Sequence, residues 1–335
     1  MRPVMLLQGV FPAITTPFYP DGRIYFRKLE HNVAKYSLTD IAGFVVLGST
    51  GEVVMLSDGE RREILLGAIE AAGGNKIMIA GTGAESVRGT LEMTEAAAEF
   101  GYDAALVRTP HYYKSQMTTA VMANFYRTVA DRSALPVLIY SVPPFTGYDI
   151  PTEVVKELAD HPNVIGIKES SGSVEKIAQM AKETAHVRRT VSATLRRSTG
   201  RRDVVSVSAL AGTSTVVEER TQEVGFQILA GSAQKMLPSL EAGASGAVLA
   251  FGCVAPVACV EVHKAFRAGD IEKAKAAQEK IVGPATRIAS QLGVAGVKYG
   301  MDFNGYYGGN PRLPLLPVSS EVRAEIEGLL GDLRG

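Results

Sequence analysis

The sequence predicts a (β/α)₈ barrel. Eight short runs rich in β-branched residues alternate with longer stretches of helical pattern. The runs are almost continuously apolar, as strands buried on both faces are. An open doubly wound sheet is the alternative, but no Gly-x-Gly-x-x-Gly turn supports it. The nearest match, Gly81-Thr82-Gly83, carries Ser86 where the third glycine belongs. With 335 residues, 46% of them hydrophobic, the chain holds one barrel of roughly 250 residues and a smaller appendage.

The strands are expected at 10–15, 43–47, 76–81, 104–108, 137–140, 164–168, 226–231 and 246–250. Between them, Ser57-Asp58-Gly59-Glu60 opens a helix with a capping box, in which each side chain satisfies a free donor at the helix end. The stretch 86–100 repeats Leu91, Thr94 and Ala98 on one face, and 118–132 carries Val121, Phe125 and Val129 at spacings of four. Beyond residue 250 the pattern changes to helices at 260–268, 271–292 and 321–333. The expected division is a catalytic barrel over 1–252 and a helical extension over 253–335.

Residues 184–224 break the rhythm, because an αβ connection usually takes about 2–6 residues. This insertion holds the pairs Arg188/Arg189, Arg196/Arg197 and Arg201/Arg202. No aromatic residue interleaves them, and Glu218, Glu219 and Glu223 offset part of the charge. The insertion reads as a surface feature, a small hairpin or a disordered loop, rather than an anion-binding arm. An αβ loop also leaves the barrel on the face opposite the active site.

Net charge is zero, so nothing global attracts nucleic acid or an anionic membrane. No run reaches the roughly 18 apolar residues of a membrane span, and the apolar start is interrupted by Gln8, Gly9 and Pro12. Two cysteines, Cys253 and Cys259, exclude a disulfide scaffold and fit a reducing cytoplasm. The five histidines show no ligand spacing, so neither a metal nor another cofactor is expected. No Gly-x-Ser-x-Gly elbow marks a serine nucleophile.

Catalytic groups of such barrels sit at the C-terminal ends of strands. Three of these ends are unusual: Gly48-Ser49-Thr50-Gly51-Glu52, Tyr140-Ser141-Val142-Pro143 and Lys168-Glu169-Ser170-Ser171-Gly172. Lys168 follows an apolar strand. Burial disfavours the charged form of an amine and frees its lone pair to attack a ketone. The plain alternative is a lysine that snorkels to solvent or pairs with Glu169. Tyr140 offers a phenol for proton transfer, or is only a rim aromatic. Ser49 and Thr50 sit in a Gly-flanked turn, which is either a carboxylate cradle or an ordinary βα turn. His111-Tyr112-Tyr113 forms a polar aromatic patch that could equally be structural.

Together with Thr15-Thr16-Pro17-Phe18, Thr109-Pro110-His111-Tyr112-Tyr113 and Gly166-Ile167-Lys168-Glu169-Ser170, these segments resemble the dihydrodipicolinate synthase / N-acetylneuraminate lyase family of class I aldolases. The resemblance spans nearly the whole chain outside 184–224. It implies a Schiff-base lyase acting on pyruvate, with Lys168 as the nucleophile and Tyr140 orienting the imine. It further implies Ser49 and Tyr112 in a proton relay and Thr50 on the pyruvate carboxylate. Gly231, Val248, Ser170 and Phe145 are expected around the substrate. The family's usual homotetramer, a dimer of dimers, implies that Tyr112 reaches a neighbouring subunit. An iminium is itself the electron sink, so no metal is needed.

Within the family, the position that carries a carboxylate-binding arginine in dihydrodipicolinate synthases is Phe145. Segments such as Thr146-Gly147-Tyr148-Asp149 and Gly305-Tyr306-Tyr307-Gly308-Gly309 look closer to 4-hydroxy-2-oxoglutarate aldolase. The expected reaction is therefore cleavage of that substrate, or a related 2-oxo acid, to pyruvate and an aldehyde such as glyoxylate. The alternatives are condensation of pyruvate with aspartate semialdehyde, with Arg108 or Lys114 substituting as the cation, and a sugar-acid aldolase or dehydratase. A ligand-sensing module of the same fold is the non-enzymatic alternative.

Overall fold

The computed structural model describes residues 5–194 and 219–333. Eight parallel strands form one sheet: β1 (Gly9–Pro12), β2 (Gly43–Val46), β3 (Ile77–Gly81), β4 (Ala104–Arg108), β5 (Val137–Ser141), β6 (Val164–Glu169), β9 (Gln227–Ala230) and β10 (Gly246–Leu249). Their order is β1-β10-β9-β6-β5-β4-β3-β2. The two ends of that order close on each other. The Ile14 N–H donates to the Val45 carbonyl at 3.0 Å, and the Ala42 N–H donates to the Val10 carbonyl at 2.9 Å. The expected (β/α)₈ barrel is therefore formed, and all eight expected strands are present with ends shifted by a few residues.

Helices α1 (Phe26–Ser37), α2 (Asp58–Ala71), α3 (Val87–Phe100), α4 (Thr119–Arg132), α6 (Thr152–Ala159), α7 (Val174–Glu183), α8 (Met236–Glu241) and α9 (Pro256–Arg267) surround it. A single turn, α5 (Pro143–Thr146), follows β5. The capping box at α2 is complete: the Ser57 N–H donates to Glu60 at 2.9 Å, and the Glu60 N–H donates to the Ser57 hydroxyl at 3.3 Å. In α4 the buried stripe is Met122, Phe125, Tyr126 and Val129, while Val121 is exposed. This corrects the expected face. The stripe runs at i, i+3, i+4 and i+7, and Val121 lies at its edge in the first turn.

Past the barrel, α10 (Ile271–Ala285) runs into a π-helical turn at Thr286–Gln291, so the single helix expected over 271–292 is interrupted. An unexpected helix, α11 (Gly293–Phe303), comes next, and α12 (Ser320–Leu330) ends the fold. Three glycines in α11 hid it from a propensity reading. Among the described residues, no helix is long and apolar enough to cross a membrane.

In the insertion, β7 (Arg189–Thr194) and β8 (Glu219–Val224) pair antiparallel as a separate two-stranded sheet outside the barrel. The Arg189 guanidinium donates to the carbonyls of Ala159, His161 and Val164 at 2.7, 2.8 and 2.5 Å. It thereby caps the entry to β6, at the end of that strand opposite Lys168. The Arg196/Arg197 and Arg201/Arg202 pairs and Glu218 lie outside the described residues.

Side chains alternate along each strand. In β5, Leu138 and Tyr140 belong to the cluster inside the barrel, and Val137 and Ile139 to the layer under the helices. Strand β6 departs from this rule. Val137 pairs with Val164 but Leu138 pairs with Gly166, so Ile165 is an extra residue in the ladder. Val164 and Ile167 both face the helices, whereas Ile165 faces the barrel interior. Strict alternation from Val164 would have turned Lys168 outward; the bulge resets the phase and turns it in. Gly166 fits the crowded ladder only because it lacks a side chain, since a Cβ there would lie 2.1 Å from the Gln227 carbonyl oxygen.

Gly166→Ala is expected to lower stability by about 3 kcal/mol, because the clash is with backbone that cannot give. Gly328→Ala, in α12 with nothing within 4 Å of the new methyl, is expected to gain roughly 0.5–1 kcal/mol. Denaturant unfolding of the two variants beside the parent chain checks both signs.

Candidate active site

Lys168 and Tyr140 end neighbouring strands and are direct register partners. Both are almost fully buried, at 4% and 5% exposure. The Lys168 Nζ lies 4.1 Å from the centre of the Tyr140 ring. The Tyr140 hydroxyl is 3.2 Å from the Ser49 Oγ, across the barrel mouth from the β2 loop. Lys168, Tyr140 and Ser49, which are far apart in sequence, are thus brought together in one chain of contacts.

The alternative partner for Lys168 is excluded by strand geometry. Glu169, one residue on, points to the opposite face. It holds Lys176 at 3.1 Å and accepts from the Ser171 N–H at 2.6 Å. Lys176 also pairs with Asp149. The carboxylate beside the buried lysine is therefore committed elsewhere.

A cavity lies over this end of the barrel, lined by Gly48, Ser49, Gly83, Leu106, Arg108 and Tyr140 among others. The Lys168 amine packs on the Tyr140 ring and does not itself line the cavity. Thr50 stands beside Ser49 in the same half-buried turn. The Gly231 N–H donates to the Glu169 carbonyl at 2.7 Å, and a Cβ at 231 would strike the Ser170 Oγ at 1.9 Å. Val248 is buried in the interior cluster with Tyr140. Two residues stand apart. Phe145 is 68% exposed, and Tyr112 is 75% exposed, edge-on to Tyr113. The backbone around Tyr112 is nevertheless fixed: the His111 and Tyr112 N–H groups donate to Glu85 at 2.9 and 3.0 Å.

The turn carrying Ser49 and Thr50 is held by groups to which the sequence reading gave no role. Leu47 and Glu52, on either side of it, adopt left-handed backbone angles, with φ of 61° and 58°. Such conformations persist only where the surroundings enforce them. Here the Thr16 hydroxyl donates to the Gly51 carbonyl at 2.7 Å. The Glu52 carboxylate, fully buried, meets Lys298 of α11 at 2.6 Å and accepts from the Arg312 N–H at 2.7 Å. The Lys298 ammonium also donates to the carbonyls of Thr16 and Asn310 at 2.8 and 3.0 Å. Two of its donors are thus used on carbonyls while its charge faces the Glu52 carboxylate. Burial pulls Lys298 below the usual lysine range, and the Glu52 charge opposes that pull. The Arg312 side chain then grips Glu60 at 2.6 Å and the carbonyls of Gly22 and Met55. The C-terminal extension therefore acts as a latch on the β2 loop. A lone lysine in a Gly-rich segment gave no sequence signal for this.

The chain's residues 6–192 and 191–332 match the model of the dihydrodipicolinate synthetase family. It is similar to the 4-hydroxy-tetrahydrodipicolinate synthase of Exiguobacterium sp., 30% identical over 96% of each chain. The synthase of Methanothrix thermoacetophila is also 30% identical, over 98% of this chain and 99% of that one. Among solved structures, a prophage protein of the dihydrodipicolinic acid synthase family from E. coli K12, in complex with pyruvate, aligns with a TM-score of 0.80 at 26% identity. It covers 98% of this chain and 99% of that one. The chloride-inhibited dihydrodipicolinate synthase from Acinetobacter baumannii, complexed with pyruvate, aligns equally well at 28% identity, with the same coverage.

Lys298→Met is expected to cost about 3–5 kcal/mol, because it leaves the Glu52 charge buried and unpaired. Adding Glu52→Gln should recover much of that loss in the same unfolding assay. The outer half of the latch is pH-dependent. Arg312 holds Glu60 at about 2 against its usual 4.5. A lowered carboxylate pKa stabilises the fold above 4.5, and that stability is lost as pH falls toward 2. The stability gap between parent and Arg312→Leu is expected to be about 1–2 kcal/mol at neutral pH and to narrow only below pH 4.5. Paired acid titrations of stability measure it.

Proposed function

The chain belongs to the dihydrodipicolinate synthetase family, whose members are lyases of the class I aldolase type, and from that premise we propose that Lys168 forms a Schiff base with pyruvate. The observation that carries this reading is the buried Lys168 amine stacked on Tyr140, whose hydroxyl in turn meets Ser49. The Lys168 nitrogen attacks the keto carbon, and the oxygen leaves as water once protonated. Tyr140 and Ser49 are the groups placed to carry those protons. The resulting iminium draws electrons from the adjacent carbon, so the methyl group loses a proton and becomes the enamine carbon. That carbon adds to an aldehyde or, in reverse, leaves one, and water then releases the product from Lys168. The Ser49-Thr50 turn is the proposed pyruvate carboxylate site. Gly231, Val248, Ser170 and Phe145 are the further residues proposed to contact the substrate.

For the carbonyl partner, the names of the relatives favour aspartate semialdehyde, which makes the chain a 4-hydroxy-tetrahydrodipicolinate synthase. One observation favours the second reading, cleavage of 4-hydroxy-2-oxoglutarate to pyruvate and glyoxylate: Phe145, on the β5 loop, offers no charge to a second carboxylate. The exposed Tyr112 fits a residue that completes the relay in a neighbouring copy, within a homotetramer. A catalytic barrel over 1–252 carrying the 184–224 insertion, a helical extension over 253–335 and a cytoplasmic setting go with this reading.

Borohydride with pyruvate is expected to add mass at Lys168 in the parent chain, and Lys168→Ala should show no adduct while keeping its fold. No adduct in the parent would sink the reading and favour a binding module. Rates of condensation with aspartate semialdehyde and of pyruvate release from 4-hydroxy-2-oxoglutarate then separate the two reactions.

A further inference from the structure

We infer that Arg108 is the specificity residue of this site, binding a carboxylate on the carbonyl partner that the pyruvate enamine meets. This deepens the Schiff-base reading above and rests on it. Arg108 ends β4 in direct register with Tyr140 and lines the cavity that Tyr140 and Ser49 share. Its side chain is 14% exposed, an unusual place for a cation that only decorates a surface.

The room for it is built in. A Cβ at Gly83 would lie 2.7 Å from the Arg108 Cγ and 2.5 Å from its backbone nitrogen. Only a glycine lets the arginine stem cross the cavity wall there. The guanidinium is held from one side. Its Nη1 meets Glu85 at 2.8 Å, the His111 Nδ1 at 2.8 Å and the Thr109 carbonyl at 3.3 Å. Glu85 is itself fixed by the His111 and Tyr112 N–H groups. The Nε, by contrast, is buried and has no partner among the described residues.

An unpaired buried N–H of a charged group is costly, and a ligand oxygen removes that cost. Nε and Nη2 form the fork that grips a carboxylate through two parallel hydrogen bonds. A second cation stands behind the first. Arg61 donates to the carbonyl of Val53, another cavity-lining residue. Burial lowers the Arg61 pKa, the Asp58 charge opposes that, and repulsion from Arg108 adds to it. Arg61 is already paired with Asp58 at 3.0 Å, so Arg108 is the cation left to meet the ligand. Lys114 is placed differently, with its Nζ 3.2 Å from where a Cβ on Gly147 would stand, at the end of the α5 turn. The resulting specificity is for short aldehydes that bear a carboxylate.

The test compares glyoxylate and aspartate semialdehyde with uncharged acetaldehyde as partners for pyruvate, in the full chain. In Arg108→Gln, kcat/KM for the two anionic aldehydes should fall about tenfold or more, while that for acetaldehyde holds within about twofold. Borohydride trapping of pyruvate should stay at the parent level. Arg108→Lys, which keeps the charge without the fork, should retain part of the preference; it also supplies the reading if Arg108→Gln does not fold. Equal losses for charged and uncharged aldehydes, or unchanged preference in both variants, would overturn the assignment. Failure of pyruvate trapping in the parent chain is a separate outcome that strikes the Schiff-base reading itself.

Discussion

The extra residue in β6 is the constraint on which this site depends. A barrel interior is a dry, packed space, and a strand offers every second side chain to it. Were the β5–β6 register unbroken, Lys168 would face the helices and Glu169 would face the core. The result would be a buried carboxylate beside Tyr140 and no amine to attack a ketone. Ile165 takes up the extra position, and Gly166 lets the ladder close behind it. One residue of slip thus decides which charge the barrel encloses.

The remaining charges are distributed so that the amine is left free. Glu169 goes to Lys176, Glu52 to Lys298, Glu60 to Arg312 and Glu85 to Arg108. Lys168 packs instead on the aromatic face of Tyr140. The Glu52–Lys298 pair has a second consequence. It joins the turn that carries Ser49 and Thr50 to a helix outside the barrel, so the extension fixes the position of a loop on the opposite side of the sequence. Buried pairs of this kind add little net stability but penalise any other arrangement of their partners.

Much of this was legible in the sequence. The eight strands announced themselves through continuous β-branched runs, and Ser57 and Glu60 marked a helix start through a local rule. The strand-end motifs placed Lys168, Tyr140 and Ser49 at one barrel mouth because parallel strands share a direction. What stayed hidden depends on partners distant in sequence. The β6 bulge exists only in its pairing with β5. Lys298 looks like any helix-surface lysine until Glu52, 246 residues away, gives it a buried partner. Val121 matched a spacing of four but sits off the true stripe, because Phe125 and Tyr126 together set its direction. Helix α11 was missed because its glycines, poor in propensity, are tolerated by close packing.

The same division explains why the pyruvate half of the chemistry reads more easily than the other half. Forming an imine requires one amine, one proton carrier and one carboxylate cradle, each fixed to a strand end and recognisable by type and position. Choosing the aldehyde needs only a charge somewhere on the cavity wall, and several strand ends can supply it. Phe145 removes that charge from the β5 loop, yet its loss says nothing about the other walls. Arg108 lies on the neighbouring strand, with its stem passing over Gly83 and its outer edge held by Glu85. A cation moved from one strand end to the next preserves the field that an anionic substrate meets while erasing the motif by which that field is usually identified. Specificity in such a barrel is therefore a property of the cavity's electrostatics, and no single position in the sequence has to carry it.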